Sequence, residues 1–275
     1  MPTSFPQADS LASTKGGNPS DREAGHRPST LWSLGVMLIV GVLAGIASGV
    51  LVDGLFHRSD GTDGNTGYLE FHSEFLREKQ KKGLGNSAEE VEQFKVEKRR
   101  LHKLDAALSV GLAGLVFCAL FGLGRGISAG FSLPVLFGTA GGALLASTLG
   151  AVGGYLAGTL DYRFEEQRQL DTMDPMYQAM IKHSLSWIGV AVGVGLTGVL
   201  PTRRFGRIVR AILTAVAAAV VAGISFAPIS AMLFPALIAE ISVPMGTGNR
   251  ILWTSLPGVL MALVVGRLLS TDQDI

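Results

Sequence analysis

The sequence predicts an all-α fold, a polytopic helical membrane bundle of about six transmembrane helices. Three observations carry that expectation. The 275 residues are 48% hydrophobic and only 16% charged. Glycine numbers 36, about twice its usual share. The charge is also segregated: of 45 Asp, Glu, Lys and Arg, 21 lie in 53–106, eight in 161–183 and six in 1–30, leaving ten for the other 168 residues. A soluble domain distributes charge over its whole surface, so long uncharged stretches argue against one. The net charge of +1 removes a bulk electrostatic case for nucleic acid. The single cysteine, Cys118, excludes an internal disulfide and a cysteine-rich metal site.

Residues 1–30 are rich in Ser, Pro, Gly and Asp without periodicity, which predicts a disordered tail. The first span follows at 31–52, too long and too far from the start for a cleaved signal peptide. An extramembrane helical insertion occupies 53–104. Its first part is turn-forming; then Tyr68, Phe71, Phe75 and Leu76 recur at helical spacing and predict a short amphipathic helix ended by Gly83 and Gly85. Ser87 and Glu90 form a capping box. From there Val91, Phe94, Leu101, Leu104 and Leu108 carry one stripe into the second span, 105–124, with no breaker between. One helix from 88 to about 124 would be ~55 Å long and project about 25 Å beyond the bilayer.

The third span is expected at 134–160, its helix continuing into water through 161–170. Asp174 and Pro175 read as N-cap and first helical residue of the fourth helix, with a span at 184–200. The fifth span, 208–234, should kink at Pro228. The segment 235–243 is too short to cross and too apolar for solvent, so an interfacial or re-entrant piece is expected. The sixth span is 251–269, and 270–275 form a C-terminal tail.

Small residues recur at every fourth position and predict close helix packing. Gly41, Gly45 and Gly49 do so in the first span, and Gly138, Gly142, Gly150, Gly154 and Gly158 in the third. Gly189 and Gly193 follow in the fourth, Ala219 and Gly223 in the fifth. Each i+4 step falls about 40° short of alignment, so a long ladder winds around its helix. The third and fifth spans are therefore expected to touch at least two other helices each and to sit centrally. Weak matches, such as 42–46 with 220–224, suggest three helical hairpins formed by spans 1–2, 3–4 and 5–6.

No catalytic or metal pattern survives its context. Gly126-Ile127-Ser128-Ala129-Gly130 matches a nucleophile elbow, but an apolar helix precedes it where a strand is required. Asp174 and His183 would complete a triad, yet a bilayer separates them from Ser128. Gly193, Gly195 and Gly198 spell a dinucleotide fingerprint inside a span, without a strand. His57, His72, His102 and His183 share one face without ligand spacing, and His102 and His183 are expected to be solvated or interfacial. The chain is therefore expected to be no enzyme and to need no cofactor.

Two roles remain. An interaction or scaffold component, the favoured one, would dock a protein partner through 68–104, using Phe71, Phe75, Phe94 and Leu101. A channel or permease would use the Pro-broken 228–250 region, with Pro228, Glu240 and Arg250 as its candidate site. The absence of an acid from the span interiors argues against proton or sodium coupling. The partner expected in either case is the lipid bilayer, in the cell membrane. Arg203, Arg204, Arg207 and Arg210 in one short connection favour cytoplasmic termini.

Overall fold

The computed structural model describes residues 30–56, 88–168, 174–199, 205–235, 241–244 and 246–271. They form six helices: α1 (Thr30–Phe56), α2 (Ala88–Ala129), α3 (Leu133–Arg168), α4 (Pro175–Val199), α5 (Phe205–Leu233) and α6 (Thr247–Thr271). There is no strand among the described residues. Each helix contains a stretch long and apolar enough to cross a membrane. The chain is an integral multi-pass membrane protein.

Local chemistry explains the helix ends. Gly130 adopts φ +87° directly after α2, the left-handed conformation that closes a helix and that side chains resist. Asp174 Oδ1 accepts the Met176 backbone N–H at 2.7 Å, and Pro175 occupies the first turn of α4, where no N–H is needed. Gly246, at φ +80°, turns the chain into α6. Pro228 lies inside α5, which continues past it to Leu233.

The glycine-lined contacts join antiparallel helices. Gly41, Gly45 and Gly49 of α1 lie against Gly258, Ser255 and Ile251 of α6, in falling order. Gly154, Gly150 and Gly114 set the α2–α3 register through Ala106, Val110 and Ala146. α4 lies on α3 through Gly189 against Leu149 and Gly193 against Gly142 and Ala146. α5 lies on α4 through Gly223 against Ser184. At most of these rungs a side chain would meet the neighbouring backbone, so the missing Cβ sets the interhelical distance. Gly138 is buried within α3, and Ala219 is buried on the core face of α5.

Two expectations require revision. α3 and α5 are not central: 28% of α3's apolar stretch and 39% of α5's are buried, against 61% for α4 and 56% for α2. The small residues of α3 divide between α2 and α4 on adjoining sides of the helix. That leaves Leu136, Phe137, Leu144 and Val152 on its outer side, exposed. A winding ladder therefore met two neighbours without the helix being enclosed. The hairpin pairing differs as well, because α1 packs chiefly on α6, at the opposite end of the sequence.

The outer surface carries Ile39, Leu108, Phe137, Leu144 and Leu213, each more than 60% exposed and placed to meet lipid chains. Inside, Phe117 stacks on Phe121 with ring centres 6.2 Å apart and lies 5.4 Å from Trp187. Trp187 in turn meets Trp253 at 5.0 Å. This aromatic cluster joins α2, α4 and α6 at the bundle centre.

Candidate functional site: a buried polar layer

The polar layer forms at one end of the bundle, where charged and polar side chains of all six helices meet. They come from the C-terminal ends of α1, α3 and α5, a mid-helix level of α2, and the N-terminal ends of α4 and α6. Asp161, at the end of α3's apolar stretch, is the hub. Its Oδ1 accepts from Lys182 Nζ of α4 at 2.6 Å. Its Oδ2 accepts from His102 Nε2 of α2 at 2.7 Å and from the Ser242 backbone N–H at 3.0 Å. The side chains of Asp161 and Lys182 are 9% and 5% exposed. Such a group is held ionised only by a complete set of partners, because either charge alone would face a large desolvation cost. His102 also meets Tyr162 edge-on at 5.6 Å.

A second pair closes the neighbouring side. Arg250, in the first turn of α6, donates through Nη1 to Asp53 Oδ1 of α1 at 2.6 Å and through Nε to the Pro244 carbonyl at 3.0 Å. Thr247 Oγ1 donates to Asp53 Oδ2 at 2.9 Å. Asp161 and Arg250 thus pin the non-helical segment 241–244 from both sides. Ser242, Val243 and Pro244 are buried there. Irregular backbone at such a place is tolerable where protein groups satisfy it.

Below these charges lies a third group. Trp253 Nε1 donates to His183 Nδ1 at 3.1 Å. An indole nitrogen is only a donor, so His183 accepts at Nδ1 and carries its ring proton on Nε2. His183 is fully buried, edge-on to Phe226 at 4.6 Å. The expected solvated or interfacial position is therefore overturned for His183: α4 starts at Pro175 as expected, but its apolar stretch starts there too rather than at 184, so the ring lies in the core. Next to it, Ser230 Oγ of α5 donates to Asn249 Oδ1 of α6 at 2.7 Å, both residues being fully buried.

Of the residues singled out from sequence, Arg250 belongs to this layer. Pro228 lies on α5 between Phe226 and Ser230, at the layer's edge. Glu240, Phe71 and Phe75 lie outside the described residues. Phe94 and Leu101 are on the helical backbone of α2, before its apolar stretch begins at His102. The nucleophile-elbow serine, Ser128, donates to its own helix at Gly124 O, at the opposite end from Asp174 and His183. Gly193 and Gly195 lie against α3 and α5 respectively.

Asp161, Lys182 and His102 were missed as a group. The available signal was that all three lie within a turn of an apolar boundary on the same membrane face. Asp161 also departs from the expectation that no acid is buried in a span, since it lies within α3's apolar stretch, Leu133–Phe164, with its side chain 9% exposed. Among the described residues, no three His, Cys, Asp or Glu side chains gather closely enough to hold a metal ion. Comparison of the chain with protein-family models, with curated proteins and with solved structures found no match.

Proposed function

We propose that this protein is a membrane permease or channel for a small uncharged solute, working through the polar layer. The observation that carries the reading is the buried Asp161–Lys182–His102–Ser242 cluster around a non-helical segment. Ionisable groups buried in spanning helices are costly, and in helical membrane proteins they commonly mark substrate or ion pathways. A break between α5 and α6 that presents backbone to the bundle interior is also how transporters build sites. The layer's acids and cations neutralise one another, which favours an uncharged cargo. Cytoplasmic termini, favoured by the arginines of 203–210, would set the polar layer on the outer face of the cell membrane.

The test is osmotic: purified protein in proteoliposomes is mixed rapidly with glycerol or urea, and vesicle re-swelling is followed by light scattering. The reading expects re-swelling faster than in protein-free vesicles and slowed by Asn249→Leu. Identical traces with and without protein would remove it.

A docking role keeps one specific observation in its favour. α2 runs unbroken for 42 residues, and its first 14 precede the apolar stretch, about 21 Å of helix outside the membrane. Arg99 lies over the Tyr162 ring and ties this projection to α3; just beyond it Lys103 lies over Tyr155. A photo-crosslinker at Val96, which is exposed, tests it in the full chain. One protein adduct of defined mass would support docking, and lipid adducts alone would oppose it.

A further inference from the structure

The packing divides the bundle into two units. α1 and α6 lock together backbone to backbone, through Gly41 against Gly258 and Gly45 against Ser255. α2, α3, α4 and α5 lock in succession in the same way. The two units meet through side chains: Val40 against Gly124, Phe117 beside Gly258, Trp187 and His183 on Trp253, and Ser230 on Asn249.

Four buried polar atoms lie on this boundary without a hydrogen-bond partner among the described residues: Ser48 Oγ, Ser109 Oγ, Trp187 Nε1 and Asn249 Nδ2. None of the four residues is more than 1% exposed. Native proteins rarely leave such groups unsatisfied, and each instance calls for an explanation. Their placement follows from helical rows. Val40, Ala44, Ser48 and Val52 form one buried i+4 row on α1, and its Val40 meets α2. Ser109, Ala113, Phe117 and Phe121 form the row of α2 that meets Trp187. Trp187 touches Trp253, and Asn249 stands one turn before Trp253 on α6. Ser33 and Ser255 also lack partners, but Ser33 lies at the far end of α1 and Ser255 inside the α1–α6 contact.

Antiparallel register sets the depth. Gly41 matches Gly258 and Gly49 matches Ile251, so Ser48 and Trp253 share a level. That level is about 9 Å inside the end of α1's apolar stretch. The polar atoms therefore descend from Asp53–Arg250 to the ring of Phe117, Trp187 and Trp253, which closes the boundary near mid-membrane.

We propose that this boundary is the solute path: a slot between the α1–α6 pair and the α2–α5 unit, floored by the three aromatic rings. It would bind a small uncharged solute with a hydrogen-bond acceptor, such as a short amide. Trp187 Nε1 and Asn249 Nδ2 can only donate, the two serine hydroxyls adapt, and the rings supply flat apolar walls. Passage then requires the side-chain contacts across the boundary to part while the glycine-locked contacts within each unit persist. The proposal rests on the permease reading and names the route.

The test uses the full chain in proteoliposomes with Cys118 replaced by alanine. Ser48→Cys and Ser109→Cys each exchange one atom. Val110→Cys, equally buried but facing Gly150 and Gly154 of α3, is the control. Iodoacetamide, itself a small neutral amide, is the probe. Both serine-position thiols should alkylate faster than the control by about an order of magnitude, because only side-chain contacts across the boundary must part to admit the reagent, whereas Val110 sits behind a glycine-locked helix contact. Unreactive acetamide should slow them. Rates equal to the control's at both positions overturn the slot. If glycerol or urea flux persists in that case, the permease reading stands and only the route fails. Alkylation of both positions with no flux overturns passage and leaves a closed binding site.

Discussion

Replacing Asp161 is the sharpest perturbation of the polar layer, since one carboxylate accepts from Lys182, His102 and the Ser242 amide. Asp161→Ala leaves the Lys182 ammonium buried at 5% side-chain exposure with its principal partner gone. Removing one member of a buried ion pair costs about 3–5 kcal/mol, more than the pair contributes relative to apolar replacements. Asp161→Asn keeps the shape and one acceptor oxygen but loses the charge. It should therefore cost less, about 1.5–3 kcal/mol, the range of one charge-assisted hydrogen bond. Removing both partners, as Asp161→Leu with Lys182→Met, should recover most of the loss, because no uncompensated charge remains. The assay is reversible SDS unfolding in mixed micelles, followed by helical circular dichroism and tryptophan emission. An alanine variant within about 0.5 kcal/mol of the parent would refute the reasoning, as would a double variant no better than the single one.

Other predictions concern packing and the second ion pair. Gly141→Ala should be neutral or stabilising by up to about 1 kcal/mol, since its Cβ would meet nothing within 4 Å, whereas Gly142→Ala should destabilise because its Cβ would meet Thr197 Oγ1 and the Gly193 carbonyl. Thermal unfolding in detergent separates these adjacent glycines by sign. Gly154→Leu drives a side chain into the Ala106 carbonyl and should abolish folded expression, read as loss of the monodisperse peak in size-exclusion chromatography. Arg250→Ala should cost about 3–5 kcal/mol and loosen the 241–244 segment, seen as faster amide exchange at Ser242 and Val243. Trp253→Phe removes the donor to His183 Nδ1 while keeping a ring, so a loss of about 1–3 kcal/mol in the same unfolding assay is expected.

The membrane class, the six crossings and the long second helix were legible because each rests on local composition. An uncharged run long enough to span, a capping aspartate before proline and an unbroken stripe need no knowledge of neighbours. The polar layer was less legible because its bonds join residues far apart in the chain, 197 positions for Asp53 and Arg250. Asp161 and Lys182 are separated by only 21 positions, across one short connection, so their pairing was within reach of the sequence. The centrality of α3 was misjudged because small residues report which faces pack, not how much of the remaining face is covered. His183 was misplaced for a related reason: a polar residue near a span's start looks interfacial until Trp253 supplies its donor.

Six crossings put the start of α1 and the end of α6 on one side of the membrane and the polar layer on the other. Topology reporters inserted singly at both termini, in 57–87, in 130–132, in 169–173 and in 200–204 measure this directly in intact cells. The account predicts that the termini, 130–132 and 200–204 report one side, and 57–87 and 169–173 the other. Termini on opposite sides, or 57–87 and 169–173 on different sides, would contradict it.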